Sequence, residues 1–537
     1  MLRITELKLP LDHPDEDLRT AIVQRLGIAS DDLLDFTLFK RSYDARKKST
    51  ELCFIYTIDL EVRDEARVLA RFADDRNVNV APDVSYKFVG QAPSDLGQRP
   101  IVVGFGPCGI FAGLLLAQMG FKPIILERGT EVRQRTKDTW GLWRKSVLNP
   151  ESNVQFGEGG AGTFSDGKLY SQIKDPKFLG RKVLHEFVKA GAPEEILYVS
   201  KPHIGTFRLT GMVENMREEI RALGGEVRFQ ERVTDVLIED GQLLGVELAS
   251  GEVLHSKHVI LALGHSARDT FRMLHSRGVF MEAKPFSVGF RIEHPQSLID
   301  RARLGKYAGH PKLGAADYKL VHHAKNGRSV YSFCMCPGGT VVAATSEPNR
   351  VVTNGMSQYS RNERNANSGI VVGITPEVDY PGGPLAGIEL QERLESHAFI
   401  LGGSDYKAPA QLVGDFINGT PSTELGEVEP SYKPGVALGD LALALPEFAI
   451  EAIREALPAF EKQIRGYSLH DAVLTGIETR TSSPLRITRN ESLQSLNVKG
   501  LFPAGEGAGY AGGILSAGVD GIRIAEAVAR DILGLKD

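Results

Sequence analysis

RPIVVGFGPCGIFAGLLLAQMGFKPIILERG, residues 99–129, decides how the rest of the chain is read. Ile101, Val102 and Val103 form an apolar run too short for a helix and rich in β-branched residues, the signature of a buried parallel strand. Gly104, Gly106 and Gly109 follow at G-x-G-x-x-G spacing, with Pro107 and Cys108 inside the turn, and residues 110–119 form a helical run. The three glycines have separate tasks: a tight turn, close backbone approach to a pyrophosphate, and close helix-to-strand packing. The helix start adds free N–H groups and a partial positive charge suited to phosphate. Residues 123–126 read as a second strand ending in Glu127, where such units place the acid that accepts from ribose hydroxyls. An acid there favours a free 2′-hydroxyl, hence FAD or NAD over NADP; the fingerprint does not choose between these two. A lone G-x-G-x-x-G can be an ordinary βαβ turn, but here the strand, helix, second strand and acid are all in register.

Working outward, 537 residues is enough for roughly two to four domains. A formal charge of -5 gives no electrostatic case for nucleic acid or anionic membrane. Four cysteines, Cys53, Cys108, Cys334 and Cys336, are too few for a disulfide scaffold and point to a reducing compartment. No basic segment followed by an apolar one opens the chain, and no apolar run approaches the roughly 18 residues needed to span a bilayer. A cytoplasmic location is expected.

Residues 1–95 read as a small separate domain. Strand 2–9, helix 15–26, strands 34–39 and 53–62, helix 64–72 and strand 78–81 give β-α-β-β-α-β, the ferredoxin-like plait. A basic turn, residues 40–48, separates the two middle strands. The plait and turn suggest RNA binding, but the aromatic platform of an RNA-recognition module is missing, so a docking or lid role is preferred and no nucleic-acid partner is expected. Residues 92–98 are the linker.

After Glu127 comes a charged helix, 132–146, carrying Trp140 and Trp143, and then VQFGEGGAGTFSDGKL, residues 154–169. Gly157, Gly159, Gly160 and Gly162 free the backbone to approach a cofactor, with Thr163, Ser165 and Lys168 as polar neighbours. Phe156, Phe164 and Leu169 within it argue against a flexible surface linker. A helix 209–223, a strand 225–229, a hairpin about Asp240-Gly241 and an apolar run 258–263 ending at Gly264 restore α/β order. From 285 to about 474, short alternating runs at 287–292, 318–322, 330–333 and 341–345 suggest an antiparallel sheet. With helices 385–399 and 450–467 they are read as an inserted substrate or cap domain. In the tail, a short strand 501–502, a glycine-rich loop 505–513 and a helix 514–533 can aim free amides at an anionic part of a cofactor. No second fingerprint sits directly behind a strand-like run, so NADH or NADPH would bind only transiently as an electron donor.

VVGFGPCGIFAG (102–113), ILERG (125–129) and LFPAGEGAGYAGGILSAGVDG (501–521) together resemble the FAD-dependent oxidoreductases with two dinucleotide-binding domains. NVQFGEGGAGTFSDGKL (153–169), LGAADYKL (313–320), FCMCPGGTVVAATSE (333–347), VVTNGMS (351–357) and GIETRTSSPLRI (476–487) are similar to the bacterial and plastid group called FAD-dependent or NAD(FAD)-utilising dehydrogenases. The resemblance spans essentially the whole chain. It implies an α/β (α+β overall) fold: a ferredoxin-like domain at 1–95, a Rossmann-type FAD domain at 96–280 and 476–537, and an inserted mixed α/β cap at 281–475. It further implies that Gly104, Gly106 and Gly109 face the FAD pyrophosphate, Glu127 the adenosine ribose, and Val233 the adenine side. Arg128 and Arg135 become flanking contacts. Gln155, Phe156, Gly157, Gly159, Gly160, Ala161, Gly162 and Thr163 would lie along the diphosphate or ring. Gly505, Glu506, Gly507, Gly512, Gly513 and Ile514 would meet the ribityl chain and the pyrimidine edge of the ring.

Cys334 and Cys336 flank Met335 on a strand that ends at 337–339, so residues i and i+2 should project both thiols from one face. Either one thiol stands near the flavin as a redox or acid–base group, or both are small buried groups shaping the pocket. Two close thiols without a distant ligand pair make no metal site. Among Arg291, His294, His322 and His323, Arg291 is the candidate for an anionic substrate or a nicotinamide phosphate. Arg480, in a polar block at 478–484, either lines the cavity or caps the returning strand. The expected function is an FAD-dependent oxidoreductase acting on a small molecule. The alternatives are a flavin-dependent hydroxylase, or an FAD-containing RNA-binding or RNA-modifying protein that recruits its partner through the first domain.

Overall fold

The computed structural model describes residues 1–43 and 51–535. At its centre is a five-stranded sheet in the order Leu501–Pro503, Val259–Leu261, Ile101–Val103, Ile124–Glu127, Glu226–Phe229. All four pairings are parallel. The first three strands are buried throughout, which is why they read as unbroken apolar runs rather than alternating ones. Helices Pro107–Gln118 and Ile514–Leu533 share one apolar core on the sheet with Leu179–Lys189 and Thr206–Ala222. A three-stranded antiparallel sheet, Val233–Glu239, Gln242–Leu248 and Val253–His255, contributes to a second core against strand residues Ile101, Val103, Val259 and Leu261.

A larger sheet runs Val321–His323, Ser329–Ala343, Asn365–Ile374, Phe286–Pro295, Val473–Glu478, Ala408–Leu412, Val436–Leu438, with Thr353–Ser357 paired to Ser329–Ala343. Only the pairing of Ala408–Leu412 with Val436–Leu438 is parallel among the described residues. Helices Ala386–Leu401 and Glu447–Glu461 cover it. The runs 330–333 and 341–345, separate in the sequence reading, are one 15-residue strand. Pro337, Gly338 and Gly339 do not end it: the register shifts between Phe333 and Cys336 and again between Cys336 and Gly339, so they are absorbed as a bulge. The last helix of this region stops at Glu461, short of the expected 467.

The N-terminal elements follow in the order strand, helix, strand, strand, helix, strand, with an antiparallel sheet ordered Leu33–Tyr43, Cys53–Val62, Leu2–Pro10, Val78–Val80. Ile4, Ile22, Leu26 and Ile58 fill its core. Lys40, Arg41, Ser42 and Tyr43, expected to begin the basic turn, continue the strand instead; residues 44–48 of that turn lie outside the described residues. The exposed edge of this strand is used. The Arg41 N–H donates to the Tyr198 carbonyl at 2.6 Å and the Ser200 N–H to the Arg41 carbonyl at 2.9 Å, joining the small sheet to the loop that precedes Thr206–Ala222. Among the described residues no helix is long and apolar enough to cross a membrane.

Candidate functional site

All five parallel strands deliver their C-terminal loops to one groove of 380 Å³. Of these five strands in chain order, Gly104 to Cys108 follow the first, Glu127 ends and Arg128 follows the second, Glu231 to Val233 come after the third, Gly264 to Ala267 after the fourth, and Glu506 with Gly512 to Ile514 after the last. Ligands of open parallel sheets bind at this end, where loops diverge and helix N-termini converge. From outside the sheet the groove receives Gln155, Phe156, Gly160, Ala161, Gly162, Lys168 and Tyr170, and, from the larger sheet, Phe333, Cys334, Asn354, Arg480 and Thr481.

Two glycines show why the turn tolerates nothing larger. Gly104 has φ +104°, and a Cβ there would lie 2.4 Å from the Ala262 carbonyl oxygen. A Cβ on Gly109 would lie 1.9 Å from the Gly104 carbonyl oxygen, so this glycine lets helix Pro107–Gln118 pack on the turn and does not itself line the groove. Gly264, Gly512 and Gly513 differ: a Cβ on any of them would meet nothing within 4 Å. Their open faces, the free N–H groups at the start of Ile514–Leu533 and a mainly apolar wall fit an extended dinucleotide.

Glu127 is a knot as well as a wall. Its Oε2 accepts from the Phe105 N–H at 2.9 Å, and its Oε1 from the Gly129 N–H at 2.8 Å and the Gly157 N–H at 3.0 Å. One carboxylate thus ties the first glycine turn to the glycine-rich loop and keeps lone-pair capacity facing the groove. Glu127→Gln exchanges an acceptor oxygen for a donor NH2 facing buried N–H groups. It is expected to destabilise the protein by about 2–4 kcal/mol in denaturant unfolding, the cost of orphaning one or two buried donors.

Arg135 corrects the sequence reading. It is no flanking contact to a cofactor: it is wholly buried and absent from the groove wall. Its guanidinium donates to the carbonyls of Asn153 (2.8 Å), Val154 (2.8 Å), Glu158 (2.7 Å), Gly160 (2.8 Å) and, more weakly, Gly157 (3.3 Å). Burial pushes it down to about 10, opposed by Glu127 and Glu158, so it stays protonated at neutral pH. It staples the glycine-rich loop from beneath. Gly157, Gly159 and Thr163 likewise lie behind the wall, and Gly505 and Gly507 support the last loop rather than line it. Arg128 does line the groove, paired with Glu151 (3.0 Å) and Asp269 (2.8 Å) and stacked 4.1 Å from the Phe156 ring centroid.

Cys334 and Cys336 differ in exposure, which a regular strand alternation does not predict. Cys334 has φ +43° within the bulge, lines the groove and is partly exposed, whereas Cys336 is wholly buried behind it. The Cys336 thiol donates to the Cys334 carbonyl at 3.3 Å. A separate hydrogen bond between the two thiols, with the Lys168 and Arg291 cations nearby, holds the Cys334 thiol below its usual value; that side-chain bond and burial push Cys336 up. Lys168 lines the groove, donates to the Met335 carbonyl and lies 3.6 Å from Asp166.

Arg291 is not available to an anionic substrate. It is wholly buried, paired with both oxygens of Glu478, and its Nη1 donates to the Cys334 carbonyl at 2.8 Å. Remaining donors reach Asn367 and Asn354. Its work is to hold the Cys334 peptide. His294, His322 and His323 are engaged with the Tyr467 carbonyl, Glu455 and Ser329. Arg480 lines the groove and braces it at once, bonded to Glu395 (2.9 Å), Ser266 Oγ (3.0 Å) and Ser346 Oγ (2.7 Å). Burial alone would raise Glu395, but Arg268 and Arg480 on either side hold it well below the usual carboxylate range. Tyr170, Ser266, Phe333, Asn354 and Thr481 are wall residues that sequence reasoning did not single out; all but Ser266 lie in or next to blocks it quoted.

Residues 285–481 match the family model described as FAD-dependent protein, C-terminal domain-like, and residues 1–61 match a domain of unknown function. A Clostridium beijerinckii protein described as uncharacterized is 49% identical over 527 residues, 98% of each chain. Similar solved structures include L-amino acid deaminase from Proteus vulgaris, 12% identical, covering 84% of this chain and 97% of that one with a TM-score of 0.37. Glycine oxidase from Geobacillus kaustophilus is 11% identical, with 81% and 95% coverage and a TM-score of 0.35.

Proposed function

The chain belongs to one family with the Clostridium beijerinckii protein, and from that premise we propose that it is an FAD-dependent oxidoreductase acting on a small substrate. The observation that carries the reading is the convergence of three separated glycine segments, around 104–108, 160–162 and 512–514, on one groove within a chain whose residues 285–481 match an FAD-dependent family. In this reading residues 1–95 are a ferredoxin-like plait, 96–280 and 476–537 a Rossmann-type FAD domain, and 281–475 the cap. The backbone docking of Arg41 on residues 198 and 200 supports a structural role for the plait over recruitment of nucleic acid.

Glu127, Arg128 and Val233 would hold the adenosine end, the backbone at Gly106 and at 161–162 the pyrophosphate, and 512–514 the flavin end. Bound flavin supplies two-electron chemistry, accepting or donating a hydride at its ring. The chain's own residues supply position and charge. Phe333 excludes water, Lys168 places a cation beside Cys334, and the amides at the start of Ile514–Leu533 favour negative charge. NADH or NADPH is the proposed transient donor, and the four unpaired cysteines support a reducing compartment such as the cytoplasm.

The test is absorbance of the purified protein, followed by anaerobic titration with NADH and NADPH in turn. A yellow protein bleached by one of them is expected. A colourless protein that takes up no added FAD would overturn the flavin reading, and a yellow protein inert to both would overturn the nicotinamide link alone.

Burial pushes the Glu506 carboxyl up to about 7, with Lys284 opposing. Below pH 7 it is neutral; above, it places negative charge in the groove and opposes the charge gained on reduction. The midpoint potential is therefore expected to fall more steeply through pH 7 in the wild type than in Glu506→Gln, read by spectroelectrochemical titration.

A further inference from the structure

Cys334 in the groove wall and Cys336 behind it have a geometry that neither packing nor strand regularity calls for. Alternate residues of a flat strand stand about 6.6 Å apart, near the upper limit of the about 4.4–6.8 Å that a disulfide spans between Cα atoms. Here the strand is irregular at both cysteines. Cys334 adopts a left-handed φ of +43°, the register slips on both sides of Cys336, and the Cys336 thiol curls back to within 3.3 Å of the Cys334 carbonyl oxygen. The bend is clamped from two directions, by Arg291 on the Cys334 carbonyl and by Lys168 on the Met335 carbonyl. Reach is unequal as well. Cys334 faces the groove, while Cys336 is sealed in, with Gly355 so close that a Cβ there would stand 3.0 Å from its sulfur.

We propose that Cys334 and Cys336 form a reversible dithiol–disulfide couple, with Cys334 as the attacking sulfur and a low-molecular-weight disulfide as its exchange partner. An open sulfur beside two cations, backed by a protected one, is the division of labour that exchange chemistry requires. The Cys334 thiolate attacks one sulfur of the external disulfide, whose S–S bond breaks as a mixed disulfide forms. The first small thiolate leaves and takes a proton from solvent. Cys336 then gives up its proton and attacks the Cys334 sulfur, the internal S–S bond forms, and the second small thiolate leaves and is protonated. Two protein thiols have lost two electrons and two protons, and one small disulfide has become two thiols. The lowered Cys334 thiol and raised Cys336 thiol agree with that order of events. The couple stands without flavin; passage of its electrons to or from a bound flavin rests on the oxidoreductase reading above.

The experiment uses the full chain and oxidised glutathione. After incubation, acid quench and alkylation, trypsin releases residues 329–350 as one peptide holding both cysteines and no others. The expected peptide is lighter than its reduced form by two hydrogens and carries no alkyl group. Cys336→Ala is expected to stop at a glutathione mixed disulfide on Cys334, and Cys334→Ser to leave Cys336 unreacted. A wild-type peptide with two alkyl groups, or with a persistent glutathione and no internal bond, would overturn the couple. Flavin absorbance of the same sample separates the two readings. A yellow protein with two free thiols refutes the couple alone, and a colourless protein with the internal disulfide refutes the flavin alone.

Discussion

Arg135→Lys is expected to give a folded protein that purifies without flavin. The arginine fork serves the carbonyls of Asn153, Val154, Glu158 and Gly160 at hydrogen-bond distance, and Gly157 more weakly. A lysine has three donors on one point and cannot span acceptors spread along eight residues, 153–160. At least two buried carbonyls are left without a partner, a cost of about 3–5 kcal/mol at about 1–3 kcal/mol for each orphaned group plus the lost charge-assisted bonds. That cost falls on the loop that forms one groove wall, while the parallel sheet keeps its own core. FAD affinity is therefore expected to drop by about 100-fold or more, since each 1.4 kcal/mol is about tenfold, with far-ultraviolet circular dichroism unchanged. Wild-type flavin content in Arg135→Lys would show that the loop keeps its shape without the staple.

Gly109→Ala is expected to have the largest effect on stability of any single methyl added to this chain's first turn. The new Cβ would lie 1.9 Å from the Gly104 carbonyl oxygen and 2.9 Å from its carbon, and both are backbone atoms that cannot swing aside. Helix Pro107–Gln118 must lift from the turn, at about 3 kcal/mol or more by analogy with overpacked cores. Flavin retention is expected to be lost with it. Gly211→Ala provides the control: a Cβ there meets nothing within 4 Å inside helix Thr206–Ala222. It is expected to leave flavin in place and to stabilise by about 0.5–1 kcal/mol, the ordinary difference between alanine and glycine in a helix. Thermal unfolding of the two variants side by side reads both expectations, and equal melting temperatures would contradict the steric argument.

What could be read from the sequence was local. The elements between 99 and 129 are legible because a buried parallel strand, a glycine turn and an apolar helix each leave an uninterrupted pattern. The tail is legible for the same reason. What escaped were partnerships across long separations and interruptions of period. Arg135 looks like any arginine of a charged helix, because its partners are backbone carbonyls, which carry no residue identity. Arg291 looks free because Glu478 comes 187 residues later. The pairing of Arg268 and Arg480 on Glu395 is hidden for the same reason. The unequal exposure of Cys334 and Cys336 escaped because alternation assumes a regular strand, and Pro337-Gly338-Gly339 signals a stop as readily as the bulge that it makes.

The last parallel strand, Leu501–Pro503, pairs with Val259–Leu261 and brings Glu506 and Gly512 to Ile514 to the groove. On the ribosome, the first glycine turn therefore emerges long before its final wall exists, and Val259–Leu261 waits with an unpaired apolar edge while the whole larger sheet is being made. The groove is complete only once residues 501–533 have been made, and until then the nascent chain carries an open strand edge of the kind that favours mispairing.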